Sequence, residues 1–334
     1  MYKRQPQELV DLFQREGIKT NNIIFSTRTN PSSVYESEGD IDLHSIIKIL
    51  GMKFNIMTQL VKPSTLEFKT GEDKVTLAWN LSVSLYYKAK GIPWKFSEFE
   101  DNVCYVGISF FRNFSELSVS MNTSMAQVFL SSGDSFILRG ESFEFERKNN
   151  DLVPRLDKKN AQNLTNKVLE FYHRHRNHYP SRLVIHKTSN FYEDEIEGIY
   201  NNKANLQNID MITIDSTTKV RLYRQSNYPV MRGTLLSSED LQECILYSVG
   251  LIPSYKTYPG MRIPNPIKIR QFSCNSDIKL ICKEILTLSR LDWNNIKFCH
   301  RLPVTIEFPR KVGKILSEKR ANDIRIESHY RYYM

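Results

Sequence analysis

The sequence predicts an α/β chain built on a mixed sheet flanked by helices, and three observations predict it. The run VCYVGISFF, residues 103 to 111, is apolar with small residues admitted, the composition of a central strand buried on both faces. Before it, apolar residues recur at helical spacing. After it, successive strand patterns give way to strands alternating with helices, a succession that builds a mixed sheet with helices on its faces.

Taken in order, the stretch to about residue 40 is mixed and turn-rich (TRTNPSSVYESEGD). Its first residues, MYKRQ, resemble a translated sequencing adapter more than a native start, so the expectation is a chain truncated at its N-terminus. From Asp42, an N-cap, the residues Leu43, Ile46, Ile47 and Leu50 fall on one face of a helix. FNIMTQLV reads as a strand, and KVTLAWNLSVSLYYKAKG as a helix closed by Gly91 and stopped by Pro93. A link near residues 92 to 102 divides the chain into domains 1–95 and 96–334. Beyond the strand at 103, strands are read near 115 to 121 and 124 to 130, a hairpin arm near 135 to 146, a helix near 158 to 177 and the strand RLVIHK. A helix near 191 to 202 follows, then strands IDMITID, KVRLYRQ, GTLLS and ECILYSV, and helices near 276 to 289 and 304 to 318. There is no internal repeat and no low-complexity segment.

Bulk properties narrow the class. With 334 residues, 40% hydrophobic content and no apolar run near the roughly 18 residues a membrane helix needs, the reading is a soluble, cytoplasmic chain of one or two domains with no membrane role. No secretory signal is visible. Lys plus Arg (46) exceeds Asp plus Glu (37), a formal charge of +9, which suits either a polyanion partner or simple solubility. Cys104, Cys244, Cys274, Cys282 and Cys299 have neither CxxC nor zinc-like spacing and read as reduced, mostly buried thiols.

One polar constellation stands out in the first unit. His44 and Lys48, four apart, project from one helix face; Gln59 ends the next strand; Asn80 and Lys88, eight apart, share a face of the following helix. Two ammonium groups, an amide and an imidazole from three consecutive elements suit a terminal phosphate, which offers several acceptor oxygens. Read alone, any basic helix shows lysines at such spacings.

HSIIK, Gln59 eleven residues after Lys48, and AWNLSVSLYYKAKGIPW resemble the guide-anchoring motif of the MID domain of Argonaute proteins. The resemblance runs on through CYVGISFF, RLVIHKTSNF, YPVMRGT, YPGMRIPNP, SRLDWNN and LPVTIEFPRKVGKIL, from about residue 42 to the end, and is nearest to the short prokaryotic type reduced to MID and PIWI domains. It implies a partial, Rossmann-like MID domain followed by an RNase H-like PIWI domain. It further implies that His44, Lys48, Gln59, Asn80 and Lys88 hold the 5′ phosphate of a guide strand. His44 stands where many relatives carry tyrosine.

The same resemblance places the nuclease carboxylates. The first position falls on Ser109, the third on Thr188 in IHKTS and the fourth on Glu307 in VTIEF, while Glu141 or Glu144 in RGESFEF meets the glutamate-finger position. Neutral hydroxyls at two of four positions remove two negative charges from a site that must hold divalent cations, so no catalytic metal and no nuclease activity are expected. Arg232, Arg262, Lys268 and Arg270 lie in matching PIWI motifs and are candidates for nucleic-acid backbone contacts. YHRHRNHYPSR, residues 172 to 182, either lines a nucleic-acid channel or is a solvated helix end. Met334 is placed by resemblance where a terminal carboxylate helps Mg2+ hold the guide phosphate; a frayed tail is the alternative.

The expectation is thus an inactive, guide-directed binding protein, with a small guide RNA (or DNA), complementary target DNA, and an effector partner carrying an APAZ domain with a TIR, sirtuin-like or nuclease module, in defence against plasmids or phages. The alternatives are a guided endonuclease using Glu141, Glu307 and a substitute ligand, a fragment of a long inactive Argonaute, and a scaffold that has lost guide binding.

Overall fold

In the computed structural model the described residues are 22–26, 42–68, 71, 73–95, 102–113, 121–130, 134–144, 154–202, 206–237, 243–255, 263–293, 299–318 and 326–334. The first unit holds a two-stranded parallel sheet of β1 (Asn22–Ser26) and β2 (Met57–Val61), in register from Asn22 opposite Met57 to Ser26 opposite Val61. Around it lie α1 (Leu43–Lys53), the single turn α2 (Pro63–Leu66) and α3 (Lys74–Lys88). Asp42 caps α1 by accepting from the Ser45 N–H, and Asp73 caps α3 by accepting from the Thr76 N–H. Neither β1 nor α2 was expected: β1 lies in the turn-rich opening, which gives no periodic signal, and the single turn of α2 is too short to show one.

The remaining strands form one eight-stranded mixed sheet in the order β5-β4-β3-β6-β7-β10-β9-β8. They are β3 (Val103–Asn113), β4 (Met121–Phe129), β5 (Ser135–Glu144), β6 (Arg182–Lys187), β7 (Asn208–Asp215), β8 (Leu235–Ser237), β9 (Glu243–Leu246) and β10 (Ile267–Ser273). β3, β6 and β7 run parallel and every other pairing is antiparallel. The helices are α4 (Lys158–Arg176), α5 (Glu193–Tyr200), α6 (Ile278–Leu288) and α7 (Val304–Leu316). A mixed sheet flanked by helices is therefore what the chain forms.

Strand alternation divides the core into two layers. Cys104, Val106 and Ile108 of β3, with Leu183 and Ile185 of β6, face Leu164, Val168 and Tyr172 of α4. Val103, Tyr105 and Phe111, with Val184, Ile212 and Ile269, face Ile281 and Ile285 of α6 and Phe308 and Val312 of α7. Each such side chain, fully buried, is worth about 1.5–3 kcal/mol relative to exposure. The second layer continues into the first unit through Ile49, Met52 and Tyr87, and into the tail through Tyr330, Tyr333 and Met334.

At one point sheet and helix meet backbone to backbone. A Cβ built on Gly107 would lie 1.7 Å from the Thr305 carbonyl oxygen of α7. That carbonyl has no intrahelical donor, because the residue four places on, Pro309, has no N–H. Glycine in the strand thus admits a helix that proline has opened.

Several expectations are corrected. The strand expected near 124 to 130 starts earlier, as Met121–Phe129, while the one expected near 115 to 121 falls on residues 114 to 120, which lie outside the described residues. KVRLYRQ is not a strand: β7 already has β6 and β10 on its two edges, and the Leu222 N–H donates to the Tyr247 hydroxyl at 2.6 Å instead of to a ladder. β10 was overlooked, although Ile267-Lys-Ile269-Arg alternates as a strand does. ECILYSV shortens to Glu243–Leu246.

The far end of the parallel strands carries a buried ionic cluster. Arg182 donates to Asp210 at 2.5 Å and by both terminal nitrogens to Glu284 at 2.5 and 3.0 Å, while the Tyr105 hydroxyl donates to Glu284 at 2.8 Å. Burial raises the Asp210 pKa, but donors from Cys274, Ser276 and Arg182 outweigh it and hold it below 3.8. Replacing Arg182 by Met should strand two buried carboxylates and cost about 3–5 kcal/mol in urea denaturation. With Asp210 depressed, its contribution is present above pH about 4 and is lost as pH falls through the folded-state value, which a pH series of melts reads directly.

Candidate functional site

α1 and α3 bring Lys48 and Lys88 together beside β2, each 2% exposed. Gly51 lets α1 lie against β2, since a Cβ there would come within 2.6 Å of the Ile56 carbonyl oxygen. Lys48 Nζ donates to the Thr58 carbonyl at 2.7 Å and to the main-chain oxygen of Met334. Lys88 Nζ donates to Gln59 Oε1, which also accepts from Ser84 Oγ at 3.0 Å, and Gln59 Nε2 donates to the Leu60 carbonyl at 3.0 Å.

These ammonium groups are stripped of water. Burial, and then the charge of Lys88, push the Lys48 pKa well below 10.5; burial pushes Lys88 down to about 7. His44 lies at the exposed rim, where loss of solvent on its crowded side and then the Lys48 charge lower it to about 4, so its ring is neutral at pH 7. Asn80 Oδ1 is buried without a partner on the same helix face as Lys88. Lys48, Gln59 and Lys88 therefore form one cluster, with His44 within electrostatic reach. Sequence reasoning missed Ser84, although it stands four residues from both Asn80 and Lys88.

The tail is packed, not frayed. Tyr330 stacks on Phe308 with ring centroids 4.2 Å apart and planes 7° from parallel, and Tyr330, Tyr333 and Met334 are buried.

The positions compared with nuclease carboxylates gather at the other end of the sheet. Gly107 and His186 are partners in the parallel β3–β6 register, so Ser109 stands level with Thr188 just past the end of β6. Ser109 is half-buried on the α7 face and Thr188 is exposed. The Thr305 hydroxyl lies 2.7 Å from His186 Nδ1, which brings the first turn of α7 and its Glu307 to the same place. Burial first, then Arg182, lowers the His186 pKa to about 3, so this ring is neutral. Glu307 lies 3.9 Å from Lys311. Glu141, on the far edge strand β5, accepts from Asn163 of α4 at 3.1 Å; the Glu144 side chain lies outside the described residues. Among the described residues no three His, Cys, Asp or Glu side chains are grouped to hold a metal ion.

The proposed backbone contacts separate. Arg232 turns inward, donating to the Leu286 carbonyl at 2.7 Å and Ser289 Oγ at 2.9 Å at the end of α6. Lys268 pairs with Glu243 at 2.6 Å; Arg270 shares that carboxylate and donates to Asn190 Oδ1 at 3.1 Å. Arg262 lies outside the described residues. In the basic stretch, Arg182 belongs to the buried cluster, while His173, Arg174 and His175 sit on the exposed last turn of α4.

Lys88 should leave a signature in stability. Unfolded it holds its proton to about 10.5, folded only to about 7, so the ligand-free protein gains stability as pH rises through that window. Lys88→Met, which removes a buried amine, should raise stability by roughly 1–3 kcal/mol and flatten this slope in thermal melts from pH 7 to 10.

No protein-family profile matches the chain. It is 22% identical over 278 residues to "Protein argonaute" of Aquifex aeolicus (strain VF5), covering 82% of this chain and 36% of that protein. Among solved structures it superposes on Clostridium butyricum Argonaute bound to a guide DNA (5′ deoxycytidine) and a 19-mer target DNA, with a TM-score of 0.70 and 17% identity over 94% of this chain and 40% of that one. The structure of Aquifex aeolicus Argonaute gives a TM-score of 0.62 and 20% identity, covering 94% of this chain and 41% of that one. The chain thus spans about two fifths of the length of the proteins it matches. In sequence and in fold it is similar to Argonautes, over the part of them that carries the MID and PIWI domains.

Proposed function

We propose that this protein binds the 5′ phosphate of a small guide strand, RNA by preference over DNA, and recognises complementary DNA by base pairing without cutting it. The observation that carries this reading is the meeting of Lys48 and Lys88. Two neighbouring amines, both buried and both depressed in pKa, are costly to hold charged unless an anion takes them up. A terminal phosphate supplies that charge, with Gln59 and Asn80 as amide donors and His44 at the rim. Specificity would then come from the guide's bases rather than from the protein. Lys268 and Arg270, partly exposed beside Glu243, are the described candidates for contacts along the strand.

The described residues do not group carboxylates for a resident Mg2+ at this phosphate, and the Met334 main-chain oxygen there accepts from Lys48. The ammonium supplies the positive charge itself. Nor do Ser109, Thr188 and a Glu141 bonded to Asn163 fit a two-metal centre. A protein that recognises but does not cut needs another to act. The reading therefore includes an APAZ-containing effector with a TIR, sirtuin-like or nuclease module, working in the cytoplasm against plasmids or phages.

The test is recovery of nucleic acid that copurifies with the protein, end-labelled with and without phosphatase. Short 5′-phosphorylated strands are expected, and Lys48→Ala with Lys88→Ala should reduce the preference for 5′ phosphate over 5′ hydroxyl by 100-fold or more. No enriched strand from folded protein would refute the guide reading. Guide-matched cleavage dependent on magnesium or manganese would refute the inactive one.

A further inference from the structure

Between Asp215 and Glu239 the chain carries Lys219, Arg221, Arg224 and Arg232 and no acidic residue. Its first part, residues 216 to 230, has no helix or strand and follows β7 at the same end of the parallel strands as Ser109 and Thr188. It is nonetheless pinned. The Thr217 N–H and hydroxyl both donate to Asp215 at 2.7 Å, and the Leu222 N–H donates to the buried Tyr247 at 2.6 Å. This fixed backbone holds two aromatic rings out in solvent, Tyr223 at 78% exposure and Tyr228 at 46%.

Neither ring has a partner among the described residues, and no carboxylate there pairs with Lys219, Arg221 or Arg224. The Arg221 guanidinium donates only along its own segment, to the Thr218 and Val220 carbonyls at 3.0 and 2.7 Å. Arg301, which donates to the Pro266 carbonyl at 2.9 Å, lies near enough that, after burial, the Arg221 charge lowers its pKa. Cations of one sign interleaved with flat apolar faces complement a chain that alternates phosphates with bases. A protein partner would be met by mixed charge, and a duplex keeps its base faces stacked inside.

We propose that residues 216–231 form a stacking platform for an unpaired single strand, with Tyr223 and Tyr228 taking base faces and Lys219, Arg221 and Arg224 the intervening phosphates. The proposal rests on the nucleic-acid-binding reading above but uses none of its phosphate-site residues. RNA and DNA share the chemistry, since nothing here reads a 2′-hydroxyl.

The experiment measures affinity of the full chain for a short single strand, the same strand with abasic positions, and its duplex, each with and without a 5′ phosphate. Tyr223→Ala with Tyr228→Ala should weaken binding of the intact single strand by about tenfold or more. It should leave the abasic strand and the duplex unchanged, and Tyr223→Phe with Tyr228→Phe should restore wild-type affinity. Unchanged affinity of the alanine variant, or an equal loss on the abasic strand, overturns the platform. If binding ignores the 5′ phosphate and the Lys48→Ala, Lys88→Ala variant but still falls in the tyrosine variant, the platform stands and the phosphate reading falls. Failure of the wild type to bind any single strand overturns both.

Discussion

The ammonium of Lys48 is the point on which the candidate site depends. It reaches the Thr58 carbonyl of β2 and the main-chain oxygen of Met334, so one side chain of α1 joins the small sheet to the tail. The tail in turn is held to the large sheet: the Ile137 N–H of β5 donates to the Ser328 carbonyl at 2.6 Å, and Tyr330 stacks on Phe308 of α7. Tyr87 of α3 adds a ring contact to Trp293 at 4.6 Å. A polar group buried this deeply is tolerable only while its hydrogen bonds are satisfied, and here those bonds help to fix the two sheets to each other.

The large sheet shows how geometry and chemistry separate. Gly107 and the opened carbonyl of Thr305 keep α7 in contact with β3, and His186 binds the Thr305 hydroxyl from β6. That packing sets three chain segments side by side whatever the side chains at 109, 188 and 307 are. The two apolar layers, which run along the sheet, and the Arg182 cluster at its opposite end hold it without those side chains. Hydroxyls at 109 and 188 therefore cost the fold nothing, and the scaffold persists independently of any reaction.

What the sequence disclosed follows from how local each signal is. The doubly buried strand at 103, the periodic faces of α1 and α3, and the Asp42 cap depend on neighbours within a few residues, and all are where the pattern put them. β1 depends on β2, more than thirty residues on, and five residues without alternation did not announce it. KVRLYRQ looked like a strand because Val220 and Leu222 alternate with arginines, but no sheet edge was left for it. Lys48, Asn80 and Lys88 were legible from helical spacing, whereas Ser84 passed as an ordinary helix residue. Arg182 looked like part of a basic surface because its partners, Asp210 and Glu284, are 28 and 102 residues away.

The amide at Gln59 has a consequence of its own. Ser84 donates to the same oxygen as Lys88, and a lysine can only donate, so the direction of the amide is fixed by its neighbours. An amide oxygen steadies Lys88 with a dipole and carries no net charge. A glutamate in its place would have neutralised Lys88 from within, making the receptor its own occupant and leaving Lys48 alone to attract anything from outside. The uncharged amide leaves the attraction of Lys88 available for a guest.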